Sequence, residues 1–441
     1  MGRNIGGSPG FDKPDCAGIA FIVGLCPAAR ASPRIHYKPH HRMLKRLNKA
    51  LADSALVVVS FLVTYLVCEF LFFRFLLPHM SFNIRPYLPD RADFFLQNSK
   101  SHYVPHDYIA LLGDSYAAGV GDWLLANGGK NDRPFHSANV MHDLLSRDVA
   151  SFGRVNIGSA QAMVQRVTRI LDDDYCYLFP AIEPPSRFVL YFYEGNDFDD
   201  NYELILNDIK PQGRELGAEI DKFLNQRLAK TSPWACHGHF GDMLFRMARY
   251  AIKYSWRPPA VIDLPSTFNP IVTGGETRTA GEFQAPPLLM TDAEIDAAVM
   301  VYSRSLAWLQ RRFANAPVTV VYVPSPPSVY RHAGEAVGVK EVFAPSDPGG
   351  PTFKFGVRIP PERIYAKSQM GCEKIRAASA RAGVAFLDAR PALRAAAVRG
   401  FVHGPRDWNH PNEAGYRVLG TLVAGHIEQR EAGPCDDRWP P

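Results

Sequence analysis

Tyr108-Ile-Ala-Leu-Leu-Gly-Asp-Ser-Tyr-Ala-Ala-Gly-Val-Gly121 is the stretch that decides the fold. Its apolar run is rich in strand formers and stops abruptly at Gly113-Asp114-Ser115, where helix-compatible residues take over. That is the layout of a strand, a sharp turn and a serine at the start of a helix. Such a serine stands at the carboxyl end of a strand, where open α/β sheets place their ligands. Backbone N–H groups of the turn point at whatever it meets. Ser115 therefore reads as a nucleophile, which obliges the rest of the chain to supply a base, an orienting carboxylate and oxyanion donors.

Working outward, strands are expected at 108–112, 154–157, 187–193, 317–323 and 383–387, with helical patterns at 137–149, 160–172, 292–314, 367–382 and 412–429. Thr291-Asp-Ala-Glu294 forms a capping box before the third of these helices. Short, continuously apolar strands alternating with amphipathic helices imply α/β architecture, a three-layer α/β/α sandwich around a five-stranded parallel sheet. Two stretches interrupt the alternation, 201–290 and 325–366. The first has helical patterns at 217–229 and 240–254, and the second contains the turn cluster Ser346-Asp-Pro-Gly-Gly-Pro351. Both leave the sheet on its carboxyl side, either as walls or a lid above Ser115 or as peripheral decoration.

Three further pieces end on the same edge. Strand two closes in Val155-Asn-Ile-Gly158, strand three in Tyr193-Glu-Gly-Asn-Asp197, and Asp407-Trp-Asn-His-Pro411 directly precedes the last helix. A serine hydroxyl is a poor nucleophile and needs a neighbouring base. His410 would take its proton, and Asp407, three residues earlier, would fix the imidazole tautomer. The Ser115 N–H is one oxyanion donor. Asp388 is the second choice for the carboxylate. Asp114 and Asp197 read as turn and cap residues. Asp199, Asp200 and Glu203 lack the glycine and ligand spacing of a calcium loop.

Taken together, Gly-Asp-Ser-Tyr116, the lone Gly158, Gly-Asn-Asp197 and Asp407-x-x-His410 resemble the four blocks of the SGNH hydrolase superfamily, also called GDSL esterases. Ser115, Gly158, Asn196 and His410 occupy its naming positions in order, and Tyr116 stands where the GDSL letters have leucine. The resemblance implies a flavodoxin-like fold and an acyl-enzyme on Ser115. It also implies oxyanion donation from the Gly158 N–H and the Asn196 side-chain amide. The implied activity is ester hydrolysis on an O-acylated envelope carbohydrate or lipid. O-acetyl transfer to a polysaccharide hydroxyl is one alternative, and a non-catalytic carbohydrate-binding relative is another. The long insertions leave the substrate open.

Ala55 to Leu77 is almost wholly apolar, and about 20 such residues span a bilayer. Glu69 and Arg74 fall toward its far end, within reach of the interface. A buried helix of a soluble protein is the other reading. Arg42, Lys45, Arg46 and Lys49 precede the span, which keeps that end cytoplasmic and sends everything after Pro78 to the periplasm or cell exterior. The expected organisation is a leader at 1–50, an anchor at 51–77, a linker at 78–106, the SGNH-like domain at 107–429 and a tail at 430–441. In the leader, Gly6-Gly-Ser-Pro-Gly10 follows no strand, Ala17 to Leu25 with Ala29-Arg-Ala31 makes a poor signal peptide, and Met43 is an alternative start.

The net charge of +5 over 441 residues, without a Lys/Arg block, is too weak to imply nucleic acid, and none is expected as a partner. At 46% apolar and 21% charged, the chain folds around a real core. Cys16, Cys26 and Cys68 lie in the leader and anchor. Cys176, Cys236, Cys372 and Cys435 can pair in three ways or stay free. Cys236-His-Gly-His239 has no partner ligands at zinc spacing, so neither metal nor cofactor is expected.

Overall fold

A computed structural model describes residues 40–76, 90–122, 136–172, 180–210, 215–230, 268–347 and 350–439, together with positions 241, 245, 248 and 249. Most of the leader, Cys176, the Cys236–His239 cluster and most of the helix expected at 240–254 lie outside the described residues. The chain divides into two compact units, Met1–Leu62 and Val63–Pro441.

A helix runs from His40 to Leu71. Among the described residues, Met43–Leu71 is the stretch long and apolar enough to cross a membrane. Leu56 and Phe61 are 68% and 72% exposed. In the second unit the continuation of this helix enters the protein. Glu69, expected at the interface, is covered by protein, and Phe72 joins a core that includes Phe94 and Tyr108.

The second unit is built on β1 (Ile109–Leu112), β2 (Val149–Ser151), β3 (Arg187–Tyr193), β4 (Val318–Val323) and β5 (Ala385–Asp388). All neighbours are parallel, and the spatial order is β2-β1-β3-β4-β5. This is the flavodoxin-like order, whose switch point lies between β1 and β3. Alternation along β1 sorts its side chains. Ala110 and Leu112 pack with Met163 and Phe192 on one face, and Ile109 and Leu111 with Met141 and Leu419 on the other. Helices cover both faces, so every strand residue but Asp388 is buried.

Strands β1, β3, β4 and β5 fall within two residues of expectation, but the second does not. Residues 154–157 form a turn after Ser151, with Asn156 at φ +58°, and the strand lies at 149–151. The preceding helix therefore ends at Leu145, not 149. The helix expected at 367–382 starts earlier, at Pro361, whose fixed φ suits a first helical position.

Both sheet edges are covered, which removes a template for foreign strands. Gln97 exchanges two hydrogen bonds with the Ser151 backbone, and the Val149 N–H donates to Ser99 O at 2.8 Å. Residues 90–99, read as linker, are thus part of the fold, with a short helix at Asp90–Phe95. At the other edge the Gly433 N–H donates to Phe386 O at 3.0 Å. A Cys372–Cys435 disulfide, one of the pairings open from sequence, fastens this tail to the Pro361–Arg381 helix.

The insertions interleave. Asn269–Thr273 and Glu276–Ala280 form a hairpin around Gly274-Gly275, at φ +63° and +76°, and Arg331–His332 joins it. Phe283–Gln284 pairs with Val337–Asp347, itself paired with Gly350–Ile359. Phe283, Val339 and Ile359 belong to the same core as Ile109 and Tyr191. The described strands of the two insertions form two small sheets of their own, packed on that core beside the five-stranded sheet.

Candidate functional site

The serine turn has no spare room. Gly113 has φ +146°, and a Cβ there would lie 3.1 Å from Tyr191 O. Asp114 Oδ1 accepts the Tyr116 N–H at 2.9 Å and so caps the single helical turn Ser115–Ala118. The end of β2 and the loop after it support this turn from behind, with Ser151 Oγ donating to Ala117 O at 2.5 Å. Gly153 is a glycine because a Cβ would meet Ala118 N at 2.2 Å.

Against this turn lies the loop before the last helix. His410 Nε2 is 2.9 Å from Ser115 Oγ, and His410 Nδ1 is 2.6 Å from Asp407 Oδ2. Asp407 Oδ1 accepts the backbone N–H groups of Asn409 and His410 at 3.0 and 3.3 Å. Burial pushes the Asp407 carboxyl up. The His410 hydrogen bond and charge and the two N–H groups together outweigh burial and hold it below the usual range. Asp122, which sequence reasoning missed, accepts the N–H groups of Arg406 and Asp407 at 2.5 and 3.2 Å. Gly121 closes the opening stretch, where a Cβ would lie 2.4 Å from Pro411 O. Asp388 is engaged elsewhere, in a buried bidentate pair with Arg390 and as acceptor of the Asp436 N–H.

The oxyanion positions implied by the resemblance have partners of their own. The Gly158 N–H donates to Gln161 Oε1 at 2.8 Å. Gly158 O accepts from Ala162 N, so glycine is the N-cap and Gln161 the third helical residue, half of a capping box. The Asn196 side chain hydrogen-bonds Asp114, and its Oδ1 is buried without a partner among the described residues. Asn201 ties the two loops. It accepts the Ala160 N–H at 3.3 Å and donates to Ser159 Oγ at 2.9 Å. Gln161 was legible as Gly-x-x-Gln, whereas Asn201 and Asp122 carry no local signal.

Beneath the serine lies a group of buried acids. Burial is the main cause that raises Asp114, Asp197 and Asp199, and it pushes Asp200 up to about 7. Neighbouring carboxyls add to the rise in the last three. Glu194, at the end of β3, instead accepts hydroxyls from Tyr322, Ser325, Ser328 and Ser368. A groove of about 980 Å³ lies behind the histidine loop, lined by Asp122, Arg399, Phe401, Asn412 and Arg417, and does not include Ser115.

No protein-family model and no curated protein matches the sequence. Three solved structures align loosely. Phospholipase A1 from Streptomyces albidoflavus NA297 is 13% identical, over 74% of this chain and 100% of its own, at a TM-score of 0.34. An extracellular lipase from Streptomyces rimosus is 14% identical, over 73% and 98%, at 0.33. A carbohydrate esterase is 11% identical, over 73% of this chain and 64% of its own, at 0.30. At TM-scores this low the overlays record a loose likeness of arrangement and no more.

Proposed function

We propose that this chain is a serine ester hydrolase of the SGNH type. The observation that carries the reading is the continuous chain from Ser115 Oγ through His410 to Asp407, at 2.9 and 2.6 Å. Ser115 attacks an acyl carbonyl while His410 Nε2 takes the hydroxyl proton. The Oγ–C bond forms and the oxyanion develops. His410 then returns the proton to the leaving alcohol, and an acyl group stays on Ser115. Water, deprotonated by the same imidazole, releases the acid. Asp407 holds Nδ1 protonated and stabilises the imidazolium. The Ser115 N–H, the Gly158 N–H and the Asn196 amide are the oxyanion donors, each worth ~3 kcal/mol of barrier. Gly158 serves once Gln161 gives up its amide.

The substrate is an O-acylated carbohydrate or lipid on the far side of the cytoplasmic membrane. Two features support that side. Lys45, Arg46 and Lys49 stand in the first turns of the His40–Leu71 helix, ahead of its apolar run. The Cys372–Cys435 disulfide belongs to an oxidising compartment. The test is turnover of p-nitrophenyl acetate by the detergent-solubilised chain beside Ser115→Ala, followed by acetylated and unacetylated oligosaccharides. Equal turnover by both proteins removes Ser115 from the mechanism. Acyl appearing on the unacetylated sugar converts hydrolysis into transfer.

A further inference from the structure

Every residue from Asp407 to His410 is fastened, and two of the ties run to the first insertion. The Asn409 carbonyl accepts the Tyr116 hydroxyl at 2.7 Å, and the Tyr193 hydroxyl lies 3.4 Å from the same oxygen. These two rings are buried and stacked, with centroids 4.0 Å apart. Asn409 Oδ1 accepts the backbone N–H of Gln284 at 2.7 Å. Trp408 fills space that side chains at Gly281 and Gly404 would need, since a Cβ would lie 2.5 or 2.7 Å from its ring. Its indole meets Phe283 and Phe401 edge-on at 6.3 and 5.2 Å. The inserted strand Phe283–Gln284 thus grips Trp408 and Asn409, and the serine turn grips Asn409 through Tyr116.

We propose that Asn409 is a positioning residue. It couples the inserted strand and the serine turn to the His410 imidazole. The inference rests on the reading of Ser115 as nucleophile. Asn409 is held at both ends, by its carbonyl and by its side chain. That fixes the peptide plane leading to His410 and leaves the imidazole little freedom except along its line to Ser115 Oγ. Displacement of a reacting group by about 1 Å costs on the order of a hundredfold in rate. Tyr116 acquires a purpose that leucine could not serve, because only a hydroxyl reaches the Asn409 carbonyl. The insertion is then part of the machinery that aims the base.

The test is the rate at which a fluorophosphonate labels the solubilised full chain. In that reaction the Ser115 Oγ–P bond forms, the P–F bond breaks, fluoride leaves and the serine proton passes to His410. Asn409→Ala is expected to slow labelling about thirtyfold, and Asn409→Asp, which keeps the accepting oxygen, to stay within about threefold of wild type. Tyr116→Phe removes one hydroxyl from an otherwise unchanged ring, so it should slow labelling about tenfold with little change in melting temperature. Labelling of folded Tyr116→Phe or Asn409→Ala at the wild-type rate overturns the inference, and so does Asn409→Asp as slow as Asn409→Ala. A wild-type chain that labels but not at Ser115 overturns the parent reading, and this one with it.

Discussion

Asp407→Asn is the substitution whose outcome the geometry fixes most tightly. In the wild-type chain Asp407 Oδ1 accepts two backbone N–H groups, from Asn409 and His410, and Oδ2 faces His410 Nδ1 at 2.6 Å. An asparagine here has one acceptor and one donor end. The two N–H groups require the acceptor, so the oxygen stays at the Oδ1 position and the NH₂ falls opposite Nδ1. Reversing the amide would forfeit both backbone bonds, each worth about 1 kcal/mol, and set donors against donors. With the NH₂ opposite it, Nδ1 must be the bare nitrogen. The proton then sits on Nε2, the atom that has to receive the Ser115 proton. The imidazole stays in place but holds the wrong tautomer. Such a change costs about 10⁴ in kcat in a Ser-His-Asp triad, the arrangement proposed for this chain, equivalent to ~5.5 kcal/mol of barrier. The assay is kcat for p-nitrophenyl acetate near neutral pH, with circular dichroism to show an unchanged fold. A folded Asp407→Asn chain within tenfold of wild type refutes the tautomer argument.

Further expectations concern the oxyanion donor, the acid response and the disulfide. Gln161→Leu removes the acceptor that occupies the Gly158 N–H at 2.8 Å. It should raise kcat/KM for a small ester about threefold, roughly one hydrogen bond's difference, whereas a loss of activity would make Gln161 itself a contributor. Burial lowers His403 to about 3 and His332 to about 4 from an ordinary 6.5. The unfolded chain therefore binds protons that the folded chain refuses. Their contribution is intact above about pH 6.5 and is lost toward pH 4, by up to ~1.4 kcal/mol per unit for each histidine. His332→Gln should flatten the fall in melting temperature over that window. Comparison with wild type isolates it from the raised acids around Asp197, whose effect has the opposite sign, and a pH-independent offset would contradict the assignment. Cys372 and Cys435 close a loop with a separation of 63 residues. Replacing both with serine should therefore cost about 4 kcal/mol in chemical denaturation, and an unchanged midpoint would show that the tail docks without the bond.

What could be read from the chain alone followed local signals. The turn at Ser115 was legible because an apolar run, a glycine and a serine stand next to one another. The contact between Asp407 and His410 was legible because three residues separate them on one loop. The second strand was misplaced because Val155-Asn-Ile-Gly158 imitates a strand ending in glycine. Val149-Ala-Ser151 is too short to show a period, and its buried Ser151 is polar because it bonds Ala117 O. The hairpin at Asn269–Ala280 has a strong turn signal in Gly274-Gly275, but its second strand, Glu276-Thr-Arg-Thr-Ala280, is too polar to stand out as a strand. The contacts from Tyr116 to Asn409 and from Gln284 to Asn409 join residues 293 and 125 positions apart. No window along the sequence contains such pairs, and only the sheet topology brings them together.

In the proposed reaction an acyl group passes through Ser115. The direct measurement is to mix the chain with p-nitrophenyl acetate, quench in acid within milliseconds, digest, and weigh the peptide carrying residues 108–121. An added acetyl group is expected on Ser115 in wild type, and none in Ser115→Ala. Turnover with that peptide unmodified at every time point, or acetyl equally present on Ser115→Ala, would contradict it.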